Sequence, residues 1–383
     1  MLLDIKKLKD LMSRISLAVE KSKLNPKAGW IELEATNTEL LFKVANYNYY
    51  LEANIKFDTN IADDDKFHVT ILAETFIPLI SKLDVDTIKL YEYLGCLILE
   101  TDSGKYTFPL IKEAGKTRCV DAIPFNPSIS TTLSGSDLST VSSINAKGLD
   151  GASFVSQFES YVYIDNLGAL ISTHDSMYVN NFDKPSSTEF KALLTLAQAR
   201  LLDIFKDYDE VLTEVELIPS FEDGNITNII RLGFTIGDLK LVLNTQSEFD
   251  TDRWPSLILR SISESENQAH VVIDKKLLDK ALARLMVFDK KFGSDVFDYS
   301  QLEFTDDCLK LVSTKNKNYE IIPYVSKHNF KEYISLIRFA DLIKQLKSIT
   351  TKEIDISYSN NNAIIINSSV KQIIPEIVKS VKV

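Results

Sequence analysis

One supersecondary unit recurs at opposite ends of this chain. A β-type run that closes on an apolar residue and then proline occurs at residues 106–110, 319–324 and 371–376. Two of these runs end a longer pattern. Residues 76–83 read as a helix and lead to Ile88-Lys89-Leu90, to Leu97-Ile98-Leu99 and to Phe108-Pro109. Residues 339–346 read as a helix and lead to Ile354-Asp355-Ile356, to Ile364-Ile365-Ile366 and to Ile374-Pro375. A unit too small to bury its own apolar face is reused by stacking copies of it, so the repeat constrains the fold more than any composition does.

The rest of the chain reads in the same units. Ile5, Leu8, Leu11, Met12 and Ile15 keep helical spacing, and apolar runs at 30–34, 40–44 and 49–53 follow as strands. Residues 114–127, with Gly115, Pro124 and Pro127, read as a linker. After it, Ser136-Asp137-Leu138 supplies a helix start, strands follow at 161–164 and 170–173, and a second helix is expected over 193–205. Strands at 215–218, 229–234 and 239–243 lead to a polar run at 261–268, a second linker. A helix over 275–288 then precedes strands at 302–304, 309–312 and 319–322, and the 339 unit ends the chain. Six helix-plus-strands units in three pairs give an α+β chain of three tandem domains, 1–125, 126–266 and 267–383.

At 45% hydrophobic and 25% charged residues, the chain has the composition of a globular protein. No apolar run approaches the ~20 residues of a membrane span, and the N-terminus lacks the order of a signal peptide. Cys96, Cys119 and Cys308 are odd in number and scattered, which suits a reducing cytoplasm better than a disulfide framework. The net charge of −11 argues against a surface that grips nucleic acid everywhere. It leaves room for one basic lining on an acidic body.

The helix wheels supply such a lining. Lys276, Lys280 and Arg284 stand at i, i+4 and i+8, opposite Leu278, Ala281, Leu282 and Leu285. Lys7 and Arg14, with Lys6, oppose the apolar side of the first helix, and Lys344 and Lys347 oppose Phe339, Leu342 and Leu346 on the last. Charged outer faces are ordinary on any single helix. The same bias on three copies of one unit in an acidic protein fits a surface that attracts phosphates without reading bases.

Catalytic constellations are missing. His68, His174, His270 and His328 stand singly, with no second His or Cys at ligand spacing, and no phosphate loop, dinucleotide fingerprint or nucleophile elbow occurs. Thr173-His174-Asp175-Ser176 holds triad residue types, but neighbours in sequence cannot converge as a triad does. Asp252-Arg253-Trp254-Pro255 reads either as a packed corner or as an apolar wall of a peptide pocket.

The order of these motifs along essentially the whole chain resembles the bacterial DNA polymerase III β subunit, the sliding-clamp family. Residues 277–284, Leu-Leu-Asp-Lys-Ala-Leu-Ala-Arg, resemble the opening helix of that family's third domain. Asp252-Arg253-Trp254-Pro255 is similar to the family's Gly-Arg-Phe-Pro, and Ile373-Ile374-Pro375 matches its terminal apolar-apolar-Pro. Residues 172–178 sit where the family carries Ala-Thr-Asp-Gly-His-Arg-Leu and keep only Thr173, and the chain runs on past Pro375 beyond the usual tail. These departures suggest a divergent clamp, of chromosomal or phage origin.

The resemblance implies a non-enzymatic processivity factor without a cofactor or metal. It would be a head-to-tail homodimer ring with helices inside and sheets outside, encircling duplex DNA without regard to sequence. It implies DNA contacts from Lys7, Arg14, Lys21, Lys23, Lys276, Lys280, Arg284, Lys344 and Lys347. It also implies a pocket for short linear motifs of the polymerase and clamp loader, using Phe158, Thr173, Asp175, Met177, Tyr178, Pro255, Leu257, Ile374 and Pro375. Phe288 and Phe292 of one chain would meet the edge strand near Tyr106 of the other. The cytoplasm of a bacterial or phage-infected cell is the expected compartment. Two rivals stay open at this point: a DNA-binding module that never closes, and an enzyme on repeated α+β units.

Overall fold

The computed structural model of the chain describes residues 1–20, 25–57, 59–113, 115–148, 161–173, 176–222, 225–245, 269–289, 300–313, 317–347, 349, 351–358, 363–367 and 371–376. Of residues 143–148, 171–173, 176–177, 219–222, 225–229, 289, 344 and 375 only the backbone is described. Six α-helices occur among them: α1 (Ile5–Ile15), α2 (Ala73–Lys82), α3 (Gly135–Gly148), α4 (Leu196–Leu201), α5 (Lys275–Asp289) and α6 (Phe339–Leu346). Each helix is preceded by one strand and followed by three, with a short hairpin of Lys112–Glu113 and Lys116–Thr117 added after the second repeat, so the expected α+β repeat is present six times among the described residues.

Local chemistry sets these boundaries. Asp4 caps α1 by accepting hydrogen bonds from the Lys6 and Lys7 amides at 2.7 and 3.1 Å, and Ile5, Leu8, Met12 and Ile15 form its buried stripe. Helix α2 begins at Ala73, three residues before the sequence-based expectation, and keeps Pro78 inside. The hydrogen bond that Pro78 cannot donate would have gone to the carbonyl of Glu74, an exposed residue of the first turn. Helix α4 corrects the expected helix over 193–205. Residues Lys191–Thr195 are a strand, because Thr195 and Gln198 close a capping box that fixes the helix start at Leu196. Residues Leu202–Phe205 then tighten into a 3₁₀ turn.

The chain forms two compact units: Met1–Ser142 with Lys184–Glu248, and Ser143–Asp183 with Phe249–Val383. The stretch expected as a middle domain is therefore shared between them. In the first unit an eight-stranded sheet runs, in spatial order, Ile129–Leu133, Val211–Glu222, Asn225–Ile236, Leu239–Asn244, Tyr49–Lys56, Glu39–Ala45, Trp30–Ala35 and Phe67–Leu72. A four-stranded sheet runs Leu2–Asp4, Thr87–Tyr93, Cys96–Thr101 and Gly104–Pro109. The 114–127 stretch is no free linker. The Val120 amide donates to Glu32 Oε2 at 2.7 Å, and the Phe125 ring lies so close over Gly233 that a Cβ there would come within 2.4 Å of it.

In the second unit the strands run Tyr161–Asp165, Gly168–Thr173, Ser176–Asn181, Lys371–Pro375, Ala363–Asn367, Glu353–Tyr358, Ala269–Asp274, Tyr319–His328, Cys308–Ser313, Ser300–Phe304 and Tyr333–Ile337. Leu278, Leu282 and Leu285 of α5 and Phe339, Leu342 and Leu346 of α6 enter one core with Val271, Ile273, Ile354 and Ile356. Each such side chain contributes about 1.5–3 kcal/mol on burial. Phe304 stacks on Tyr358 at 3.8 Å.

Strand exchange binds the paired repeats. The strand before α1 pairs with Thr87–Tyr93 of the next repeat, and the strand before α2 pairs with Trp30–Ala35 of the previous one. The strands before α5 and α6 repeat the exchange, pairing with Glu353–Tyr358 and Ser300–Phe304.

Candidate functional site

The exposed side of the helices carries part of the expected cationic lining. Lys7 on α1, Lys276 and Lys280 on α5, and Lys347 at the C-terminal end of α6 are all exposed. The two arginines behave otherwise. Arg14 is only 14% exposed: it donates to the Ile204 carbonyl at 2.7 Å, pairs with Asp10 and Asp207, and lies over the Tyr208 ring. Its charge is committed inside the first unit. Arg284 binds Glu320 through two bonds of 2.7 Å, and that contact holds the Glu320 carboxyl below its ordinary range. Beside α1 lies a groove of about 590 Å³ whose lining mixes Lys7, Arg14 and Lys56 with Asp10 and Asp238, so it is not purely basic. Lys21 and Lys23 lie outside the described residues, and of Lys344 only the backbone is described.

The residues expected to bind a peptide come partly together on a strand junction of the second unit. The hairpin of Gly168–Thr173 and Ser176–Asn181 pairs Thr173 with Ser176, and the second strand then pairs with Lys371–Pro375, with Met177 opposite Ile373 and Tyr178 opposite Gln372. Ile374 and Pro375 continue along the neighbouring strand, opposite Ile364 and Ala363. Tyr178 and Ile374 are each only 1% exposed, so their side chains support the junction from within and do not line an open wall. Burial pushes the Tyr178 phenol up to about 12, against an opposing effect of the Gln345 side chain. Phe158, Asp175, Pro255 and Leu257 lie outside the described residues, as does His174.

Among the third strands of the described repeats, two keep an unpaired side. Gly104–Pro109, which carries the half-buried Tyr106, is the last strand of its sheet. Residues 319–323 pair with Cys308–Ser313 on one side, while Tyr324 and residues 326–328 turn to pair with Ala269–Asp274. Tyr319 and Ile321 leave 57% and 56% of their surface exposed, and Phe288 at the end of α5 leaves 47%. Phe292 lies outside the described residues.

Sequence spacing missed one cluster. His68 Nε2 lies 2.8 Å from Glu32 Oε1 and 3.9 Å from Cys119 Sγ, a convergence of residues 36 and 51 positions apart that no local motif reveals. No helix among the described residues is long and apolar enough to cross a membrane.

Solved structures share this fold from end to end. The DNA polymerase III β subunit of Thermotoga maritima superimposes with a TM-score of 0.73 at 15% identity, covering 99% of both chains. The β subunit of Streptococcus pyogenes gives 0.70 at 17% identity, again over 99% of both. The sliding clamp of Pseudomonas aeruginosa, solved with griselimycin bound, gives 0.70 at 11% identity over 99% of both. No protein-family model and no curated protein matches the sequence. The fold is that of the bacterial β clamp. The six repeats of one strand, a helix and three strands are thus the repeats of a clamp fold.

Proposed function

We propose that this chain is a DNA sliding clamp: a non-enzymatic processivity factor that closes around duplex DNA as a head-to-tail homodimer. The observation that carries this reading is the fate of the third strand of each repeat. Tyr49–Lys56 pairs with Leu239–Asn244, and Ser176–Asn181 pairs with Lys371–Pro375. Of the two remaining third strands, Gly104–Pro109 ends its sheet and residues 319–323 pair on one side alone. Under the same pairing rule these meet between two copies of the chain, covering exposed Tyr319 and Ile321 and removing an edge that would otherwise invite aggregation. Each edge is used once per chain, so two head-to-tail contacts close a ring.

In that ring the three clamp domains are 1–125, 126–266 and 267–383. Lys7, Lys276, Lys280 and Lys347, joined by Lys21, Lys23 and Lys344, supply weak phosphate contacts that ignore sequence. Topology, not affinity, then holds the DNA, and the acidic exterior keeps it off the outer surface. Arg14 acts as a support for α1. The polymerase and clamp loader dock short linear motifs at the junction of residues 173–178 with 373–375, together with Phe158, Pro255 and Leu257. The site of action is the cytoplasm of a bacterial or phage-infected cell, and no cofactor takes part.

Light scattering on the purified protein tests the closure. A dimeric ring has a mass of ~87 kDa, twice the 43.3 kDa of the chain. A mass of one chain at micromolar concentration would contradict it. Docking is tested by titrating a labelled polymerase C-terminal peptide into wild type and Met177→Glu. Equal affinities, with dimer mass unchanged, would sink the pocket assignment.

A further inference from the structure

We propose that Glu32, His68 and Cys119 form a three-ligand site for a zinc-class divalent metal ion in the first unit, separate from every DNA, peptide or dimer contact above. The three side chains offer the donor set of a borderline-soft ion: one carboxylate oxygen, one imidazole nitrogen and one sulfur. Their donor atoms lie within 4.8 Å of one another, with Glu32 Oε1 and Cys119 Sγ at 2.8 and 3.9 Å from His68 Nε2. Around a tetrahedral zinc ion, N, O and S ligands sit roughly 3.3–3.8 Å apart. Shifts of about half an ångström at His68, and a closing of at most ~1.3 Å between Glu32 and Cys119, therefore bring all three into range. Glu32 is buried, while His68 and Cys119 are exposed, which leaves an entry path and a fourth position for water.

The frame around the ligands is already built. Glu32 and His68 come from the paired strands Trp30–Ala35 and Phe67–Leu72. The Val120 amide holds Glu32 Oε2 and leaves Oε1 to face His68. Cys119 is fixed from both sides: Thr117 donates to the His68 carbonyl at 3.0 Å, Thr70 donates to the Arg118 carbonyl, and Val120 follows directly. Outer bonds of this kind orient metal ligands and raise affinity. One cation competes. Lys43 Nζ lies 3.4 Å from Glu32 Oε1, but it lies closer to Glu34, at 2.7 Å, and keeps that partner when a metal enters. On binding, the Cys119 thiol releases its proton to solvent and the sulfur coordinates as thiolate. The ion would pin the 117–121 segment to the sheet it crosses.

Co²⁺ is the probe, titrated into the full-length apo protein. Wild type should bind one equivalent and develop the intense visible bands of a tetrahedral ion with a thiolate charge-transfer band in the near ultraviolet. Cys119→Ser changes an exposed residue, so it should fold with an unchanged melting temperature. It should lose the charge-transfer band and bind at least ~tenfold more weakly, whereas Cys96→Ser and Cys308→Ser bind as wild type does. Lys43→Ala should bind more tightly. Wild type that takes up no Co²⁺, a pale octahedral spectrum, or equal binding by wild type and Cys119→Ser would overturn the proposal.

Discussion

Arg14 and Lys7 sit on one helix and point away from its apolar stripe, yet only Lys7 reaches solvent with its charge unspent on a carbonyl. A wheel gives the direction of a side chain. It cannot give the partner waiting there, and for Arg14 that partner is the Ile204 carbonyl, 190 residues away. Arg14→Ala should therefore lower the free energy of urea unfolding by about 1–3 kcal/mol, the cost of leaving a part-buried carbonyl and Asp207 without their cation. Lys7→Ala should stay within about 0.5 kcal/mol of wild type. Equal losses in the two variants would mean that Arg14 is no support. Arg284 permits a test by pH. Its bidentate bond depresses Glu320, so the pair stabilises the fold above the ordinary carboxyl pKa and that stability is lost as pH falls through the depressed value. In Arg284→Met, NMR titration should find Glu320 moving back up toward 4.5, its ordinary value. The effect on overall stability should be small, because exposed pairs contribute little.

At the scale of elements, the sequence was most legible where apolar spacing was regular. The helix expected over 275–288 is Lys275–Asp289, because Leu278, Ala281, Leu282 and Leu285 all face one core. It was least legible around 193–205, where a buried strand and a buried helix follow each other with no polar break. The apolar run of Ala192, Leu193 and Leu194 carries no periodicity to separate them, and only the Thr195–Gln198 box marks the change. The peptide-site residues illustrate another limit. Family position singled out Tyr178 and Ile374, which lie at one strand junction, but both are buried there. Tyr178→Ala should thus cost about 3–5 kcal/mol of stability, as removal of a large core aromatic does. A melting temperature within a degree of wild type would show that the ring is not core. The cationic faces predict a salt effect. With Lys276 and Lys280 both changed to Glu, DNA binding should weaken equally for all sequences, and its slope against log salt should shrink by ~0.9 for each phosphate that is no longer neutralised. A change that followed base sequence would contradict the assignment of these lysines.

For the whole molecule, the repeat was readable from the ends of the chain because proline-closed strands punctuate it. Which distant strands pair was not. Pairing of Tyr49–Lys56 with Leu239–Asn244, and of Ser176–Asn181 with Lys371–Pro375, joins strands about 190 residues apart in sequence and draws the middle of the chain into two different units. Composition and periodicity act locally and are blind to such pairings. The two third strands left over lead to the dimer. Phe288→Asp, placed on an exposed residue beside one of them, should leave the monomer folded and abolish dimerisation, because only the interface buries the new charge. A dimer that persists at nanomolar concentration would remove Phe288 from the contact. The central claim, a closed ring that holds DNA by topology, is tested most directly on nicked circular DNA. The protein is loaded with a bacterial clamp loader and ATP, washed at high salt, and the circle is then cut once. A closed ring stays on the intact circle through the wash and is released by sliding after the single cut. Equal retention before and after the cut, or loss from the circle in salt alone, would contradict it.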